Sequence, residues 1–266
     1  MAERGPSPFI DRILCCADLY QHPLVLAVLG ESWHPGGLAL TRILAKEIKL
    51  SKEDHLLDVA SGRGASALML AQVFKCRVTG IDTSIEALEQ ARKDAHCYRL
   101  ENLVTFTQGD VNSLPFPSSS FSSVLCECAT ALFSDRQSAL REIARVLRPG
   151  GYLALSDVTF CPEALPSPID SPLARALCIP LGMGPEAYIQ RIGEAGLIVQ
   201  EKMDYSGSVA QLLDKVESLL GVGRLATIVG KLDREPLRQI ENALYCARQL
   251  LQQGDLGYWA FIARKP

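Results

Sequence analysis

The sequence predicts an α/β protein with a mostly parallel sheet and helices on both faces, and three neighbouring stretches carry that expectation. Leu56-Leu57-Asp58-Val59 is a short apolar run that ends in the turn-forming cluster Ala60-Ser61-Gly62-Arg63-Gly64. Residues 66–74 (SALMLAQVF) are a helix-length stretch of good helix formers. Cys76 to Ile81 is a second strand-like run that closes on Asp82. Strand, glycine-rich turn, helix and strand make a β-α-β unit. Its chemistry is readable. Glycine lets the backbone approach a ligand that a Cβ would exclude, and the helix start offers unpaired N–H groups and a positive dipole end. Asp82, at about the 20-residue spacing from the glycines, can accept the hydroxyls of a ribose.

The other elements fall in order around this unit. Pro8 to Tyr20 and Leu24 to Leu29 read as helices, the latter stopped by Gly30. Residues 31–37, with Trp33 and His34 beside Pro35-Gly36-Gly37, form either a wall over a ligand or a packing turn. A helix follows from Leu38 to Ile48, and Leu40, Ile43, Leu44 and Ile48 predict its buried face. The helix from Ser84 to Leu100 has Thr83 or Ser84 as its N-cap. Val104 to Gln108 is a third strand and Phe121 to Cys126 a fourth. A helix from Arg136 to Val146 then runs into Leu147-Arg148-Pro149-Gly150-Gly151, and Tyr152 to Asp157 is a fifth strand.

Prolines make 158–183 loop-rich, with one short helix from Leu173 to Cys178. Glu186 to Ala195 is a helix, closed by Gly196, and Leu197 to Met203 a sixth strand. Helices are expected at 208–220, 222–232 and 235–253, and Gly257 to Ala263 is a seventh strand.

Composition narrows the class. The 266 residues are 48% hydrophobic, enough for one large core. Net charge is −3 and Lys and Arg are scattered, which argues against a nucleic-acid partner. The N-terminus MAERGPSPFIDR is polar and no apolar run nears a membrane span, so a cytoplasmic location is expected. The nine cysteines (15, 16, 76, 97, 126, 128, 161, 178 and 246) are odd in number and lack a C-x-x-C pair. A disulfide framework is not expected, and Cys76, Cys97 and Cys246 read as small buried hydrophobes.

Asp58-x-Ala60-x-Gly62-x-Gly64 departs from the dinucleotide spacing G-x-G-x-x-G and resembles motif I of class I methyltransferases, which bind S-adenosylmethionine (SAM). Gly109-Asp110-Val111 with Leu114-Pro115-Phe116, and Leu147-Arg148-Pro149-Gly150-Gly151-x-Leu153, resemble two further landmarks of that family. The resemblance spans residues 56–157 and is to the methyltransferase-11 and ubiquinone-methyltransferase-like group. It implies a Rossmann-like, seven-stranded class I methyltransferase sheet with helices on both faces. An N-terminal helical cap would occupy residues 1–50 and the SAM-binding core 51–204, with a helical insertion and the final strand in 205–266.

The cofactor implied is SAM, with S-adenosylhomocysteine (SAH) as product. The cofactor-binding residues implied are Asp58, Ala60, Ser61, Gly62 and Gly64 in the loop, then Asp82 and Thr83 after the second strand. Asp110 would take the adenine amino group, Val111 would cover the ring, and Cys126 would close the set. Arg63 would cap a carbonyl or meet the SAM carboxylate.

Methyl transfer from a sulfonium is an in-line displacement, so the protein mainly aligns the nucleophile and excludes water. For a small-molecule O-, N- or C-acceptor, Glu127 and His34 are the candidate general bases. Residues 151–158, Cys178, Tyr188 and Gly196-Leu197 look like the matching part of arsenite methyltransferases, and their substrate cysteine falls at Cys178. Arsenic would need a second thiolate, from Cys126, Cys128 or Cys161. A SAM-binding protein without catalysis is the third reading. No metal cofactor is expected, and the sequence leaves the oligomeric state open.

Overall fold

The computed structural model describes residues 34–161, 183–228 and 234–266. The expected helices at 8–20, 24–29 and 173–178 lie outside the described residues, as do Trp33 and Cys178. The chain divides by its contacts into two compact units. One comprises Gly36–Asp157, Pro185–Tyr205 and Trp259–Pro266, and the described residues of the other lie in 34–35, 158–161, 183–184, 206–228 and 234–258.

The first unit holds most of a seven-stranded mixed sheet ordered β3-β2-β1-β4-β5-β7-β6. In chain order its elements are α1 (Gly37–Glu47), β1 (His55–Val59), α2 (Ala65–Phe74), β2 (Arg77–Asp82), α3 (Ile85–Cys97) and β3 (Val104–Gln108). Then come β4 (Phe121–Glu127), α4 (Arg136–Val146), β5 (Leu147–Phe160), α5 (Pro185–Glu194) and β6 (Ile198–Asp204). The second unit contributes α6 (Ser206–Ile228) and α7 (Arg234–Gln253), and β7 (Leu256–Arg264) begins in it and ends in the first. β1 pairs in parallel with both β2 and β4, and β4 with β5, whereas β6 and β7 are antiparallel.

Burial follows from that order. β1 and β4 lie inside the sheet, so Leu56, Leu57, Val124, Leu125 and Cys126 are almost wholly inaccessible. β6 is an edge, and Ile198 on it is exposed. The chain leaves β1 toward β2 and β3 on one side and returns through β4 on the other. The carboxyl ends of β1 and β4 therefore flank the topological switch point, where open α/β sheets take their ligands.

Four expectations need correction. Ile43 is exposed, and the buried face of α1 instead runs through Leu40, Thr41, Leu44 and Ala45, which places a hydroxyl among the aliphatics. Cys97 and Cys246 are exposed, the first as the last residue of α3 and the second on the water-facing side of α7; Cys76 is buried as expected. Residues 206–228 form one helix that continues through Gly221 and Gly223, since a helical glycine costs only about 1 kcal/mol and breaks nothing by itself. Finally, β5 starts at Leu147. Phe121 faces Leu147 but Ser123 faces Tyr152, so Arg148 to Gly151 bulge from the ladder, with Gly150 in the left-handed region at φ 78.

Candidate functional site

The glycine loop is stitched to the end of β2. The Ser61 N–H donates to the Ile81 carbonyl at 3.0 Å and the Gly64 N–H to the Ser61 carbonyl at 2.8 Å. Ala60, Gly62 and Gly64 all have positive φ (56, 51 and 79), which gives the loop its alternating path. Asp82 is built into that path. Its Oδ2 accepts the Gly62 N–H at 2.8 Å and its Oδ1 the Ser84 N–H at 2.9 Å. A two-oxygen acceptor with one bond to each oxygen still has lone pairs to spare. Ser84, not Thr83, caps α3, its hydroxyl accepting the Ala87 N–H, and Thr83 is exposed beside it.

Phe106 on β3 fills the space beneath the loop. A Cβ on Gly64 would lie 2.5 Å from its ring, and one on Gly80 would meet the same ring at 2.5 Å and the Ser61 Oγ at 2.7 Å. Over Gly62 nothing lies within 4 Å of such a Cβ. Gly64 and Gly80 thus serve internal packing, while Gly62 faces open space.

Acids gather beside the loop. Asp58, at the carboxyl end of β1, is 3% exposed and accepts the Ala67 N–H in the first turn of α2. It does the work of a helix cap, which Gly64 has no side chain to do. Burial, reinforced by Glu127 and Asp82, pushes its carboxyl well above the usual range. Glu127, the last residue of β4, is clasped by two hydroxyls. Thr41 on α1 donates to its Oε1 at 3.0 Å and Oε2 at 3.1 Å, and Ser66 on α2 donates to Oε2 at 2.8 Å. Sequence reasoning missed both hydroxyls. The signal for Thr41 was a polar residue inside an otherwise apolar helix stripe.

Cys126 lies wholly inside, and burial together with Asp157, Asp58 and Glu127 drives its thiol well above the ordinary value. Cys128 follows in the left-handed region at φ 52, its N–H bonded to the Ser156 carbonyl at 2.7 Å. A second buried network then ties the β4–α4 connection to β5. Asp157 accepts the Thr130 N–H at 2.9 Å and the Thr130 hydroxyl, which is 2.9 Å from the Tyr188 hydroxyl on α5. Burial, then Asp157, holds Tyr188 well above the ordinary phenol range.

Asp110 is exposed, and its Oδ1 accepts the backbone N–H and side-chain amide of Asn112. Val111 beside it is buried. His34 is half-buried with Nδ1 3.2 Å from the Pro35 carbonyl, and belongs to the second unit. Asp58, Ala60, Ser61, Gly62, Gly64, Asp82, Cys126 and Glu127 are thus brought together at the ends of β1, β2 and β4, with Thr83, Asp110 and Val111 following β2 and β3. Among the described residues, no cluster of His, Cys, Asp or Glu is disposed to hold a metal ion.

This arrangement has known relatives. The family model described as "Methyltransferase domain" matches residues 57–155. The chain is 31% identical over 232 residues to 27-O-demethylrifamycin SV methyltransferase of Amycolatopsis mediterranei (strain S699), covering 85% of this chain and 83% of the relative. The chain is a class I methyltransferase. SAM is its cofactor and SAH the product.

The methyltransferase is also 33% identical over 131 residues to O-methyltransferase cnsE of Penicillium expansum, a match that spans 48% of each. That match, like several others, spans about half of the relative's length. Among solved structures, the [4+2]-cyclase SpnF superposes with a TM-score of 0.68 at 26% identity, over 89% of this chain and 83% of that one. No helix among the described residues is long and apolar enough to cross a membrane.

Proposed function

We propose that this methyltransferase acts on a small organic acceptor and methylates a hydroxyl oxygen of it. The observation that carries the reading is the similarity to the rifamycin-type O-methyltransferase, which covers 85% of the chain and so extends far beyond the 57–155 domain match. SAM supplies an electrophilic methyl group on a sulfonium. The chain's own residues hold and orient. Gly62 leaves room for close approach, Asp82 offers its carboxylate to the ribose hydroxyls, and Asp110 and Val111 offer a carboxylate and an apolar side chain to the adenine.

Glu127 is the proposed general base, its carboxylate fixed by Thr41 and Ser66 so that it need not reorganise as a proton arrives. The cytoplasm is the proposed setting, and the thiols of Cys76, Cys97, Cys126, Cys161 and Cys246, none of them in a disulfide, support it.

Cys126 gives the arsenic reading little support, because a buried thiol among carboxylates resists becoming the thiolate that arsenic needs. The likeness to a cyclase keeps one competing outcome in the test. Purified protein should move label from methyl-labelled SAM into a small, extractable product when given polyphenol and macrolactone acceptors. Label staying in SAM across the panel while SAH binds tightly would favour a SAM-binding protein with another task. Labelled product with arsenite alone would overturn the oxygen assignment. In the productive assay, Glu127→Gln should lower kcat by roughly 10²–10⁴-fold.

A further inference from the structure

Asp58 combines three features that the cofactor reading does not by itself require. It is 3% exposed, its Oδ2 has no hydrogen-bond partner among the described residues, and it stands where β1 meets the first turn of α2. The nearby Ser61 Oγ, inside the glycine loop, is likewise unpartnered. A buried carboxylate oxygen left without a partner is costly, and the cost is avoided if the group carries a proton until a partner arrives.

Among the described residues, the charged groups that act on Asp58 are acids. Glu127 reaches it from β4 and Asp82 from β2, while α2 contributes only the neutral Ala67 N–H. Cys126, its neighbour on β4, is a neutral thiol. Asp58, Asp82 and Glu127 therefore converge on one end of the sheet.

We propose that cofactor binding is coupled to release of the proton on Asp58, whose carboxyl becomes the counter-charge of the cofactor's amino-acid end. The inference rests on the cofactor assignment and adds a linkage to it. The balance is simple. The free enzyme holds Asp58 as COOH, the incoming ligand brings a fixed ammonium, and binding leaves a carboxylate in the protein and one proton in the buffer. Burial and the two neighbouring carboxylates favour the protonated form in the free protein, consistent with this direction. An ammonium close to the group reverses the preference.

The test uses the full chain with SAH, which carries the ammonium but does not turn over. Calorimetric titrations at one pH, in buffers with different heats of ionisation, count the protons exchanged. Wild-type protein should release up to about one proton per SAH, and its affinity should rise with pH by up to tenfold per unit below the Asp58 pKa of the free protein. Asp58→Asn keeps an acceptor for the Ala67 N–H but has no proton to lose. It should bind SAH with no release and with affinity flat between about pH 6 and 8.

SAH binding to wild type without proton release overturns the inference and leaves the methyltransferase assignment standing, and equal release by Asp58→Asn does the same. If SAH does not bind wild-type protein at all, the cofactor assignment falls and the inference falls with it. The wild-type buffer series decides the matter even if Asp58→Asn fails to fold.

Discussion

Gly62 and Gly64 stand in one loop, yet a methyl group added to each would meet different obstacles. At Gly64 it would strike the Phe106 ring, and at Gly62 it would enter open space. Gly64→Ala should therefore destabilise the fold, by about 1–3 kcal/mol for a clash of this kind in a packed site. Gly62→Val meets no side chain but strains a left-handed backbone at φ 51, so it should cost about 1–3 kcal/mol of stability and lose cofactor affinity as well. A thermal melt and an SAH titration on each variant read both effects, and Gly62→Val binding SAH with wild-type affinity would refute the role of Gly62 in cofactor approach. Asp82→Ala should weaken SAH binding by about 1.5–3 kcal/mol, the scale for hydrogen bonds to a charged group. An unchanged isotherm would place the ribose elsewhere.

Residues of this kind were legible in the sequence because spacing alone marks them. Thr41 and Ser66 were not. They meet Glu127 only after α1, α2 and β4 are assembled, and no local pattern encodes that convergence.

Among the elements, α4 shows how far local chemistry reaches. Asp135 caps it, its Oδ1 accepting the N–H groups of Gln137 and Ser138 at 2.9 and 3.0 Å. Asp135→Ala should cost about 1 kcal/mol, read from urea denaturation as a lower midpoint with an unchanged slope. The strands and most helices of the first unit were readable for the same reason, since caps, glycine stops and apolar runs are local. Two boundaries were not. The start of β5 depends on where Phe121 and Ser123 place the ladder, and that is set by β4. The unbroken α6 defeats its glycines through helix continuity, which one-residue propensities do not capture.

For the whole molecule, acidity should act through a few linked carboxyls. Burial tends to raise Asp54, but hydrogen bonds from Ser122 and Ser51 and the charge of Arg148 prevail and hold it below its ordinary 3.8. Hydrogen bonds from Arg145 hold Glu142 below its ordinary 4.5, against some burial. Depressed groups contribute stability that is present above those values and lost as pH falls through the folded-state pKa. Asp58 has the opposite sign. Its raised pKa contributes stability that is full below 3.8 and is lost as pH rises through the folded-state value. Melting temperature should therefore fall as pH drops below about 4.5, and Asp54→Asn or Glu142→Gln should soften that fall. An acid limb identical in both variants would show that other groups control it.

The place of β7 has a consequence for synthesis on the ribosome. It is last of the strands in sequence but sits inside the sheet, between β5 and β6. The strands β3-β2-β1-β4-β5 can pair as soon as Phe160 has emerged, while β6 waits for Leu256–Arg264 before it can join. During that interval one side of β5 is a bare row of backbone donors and acceptors, open to any other extended chain. When β7 docks, Lys265 just beyond it reaches back to the end of α4, its ammonium donating to the Ala144 and Leu147 carbonyls at 2.6 Å each. The nascent methyltransferase is thus most prone to mispairing late in translation, and a product released before residue 256 should be captured by chaperones or aggregate instead of accumulating as a smaller folded core.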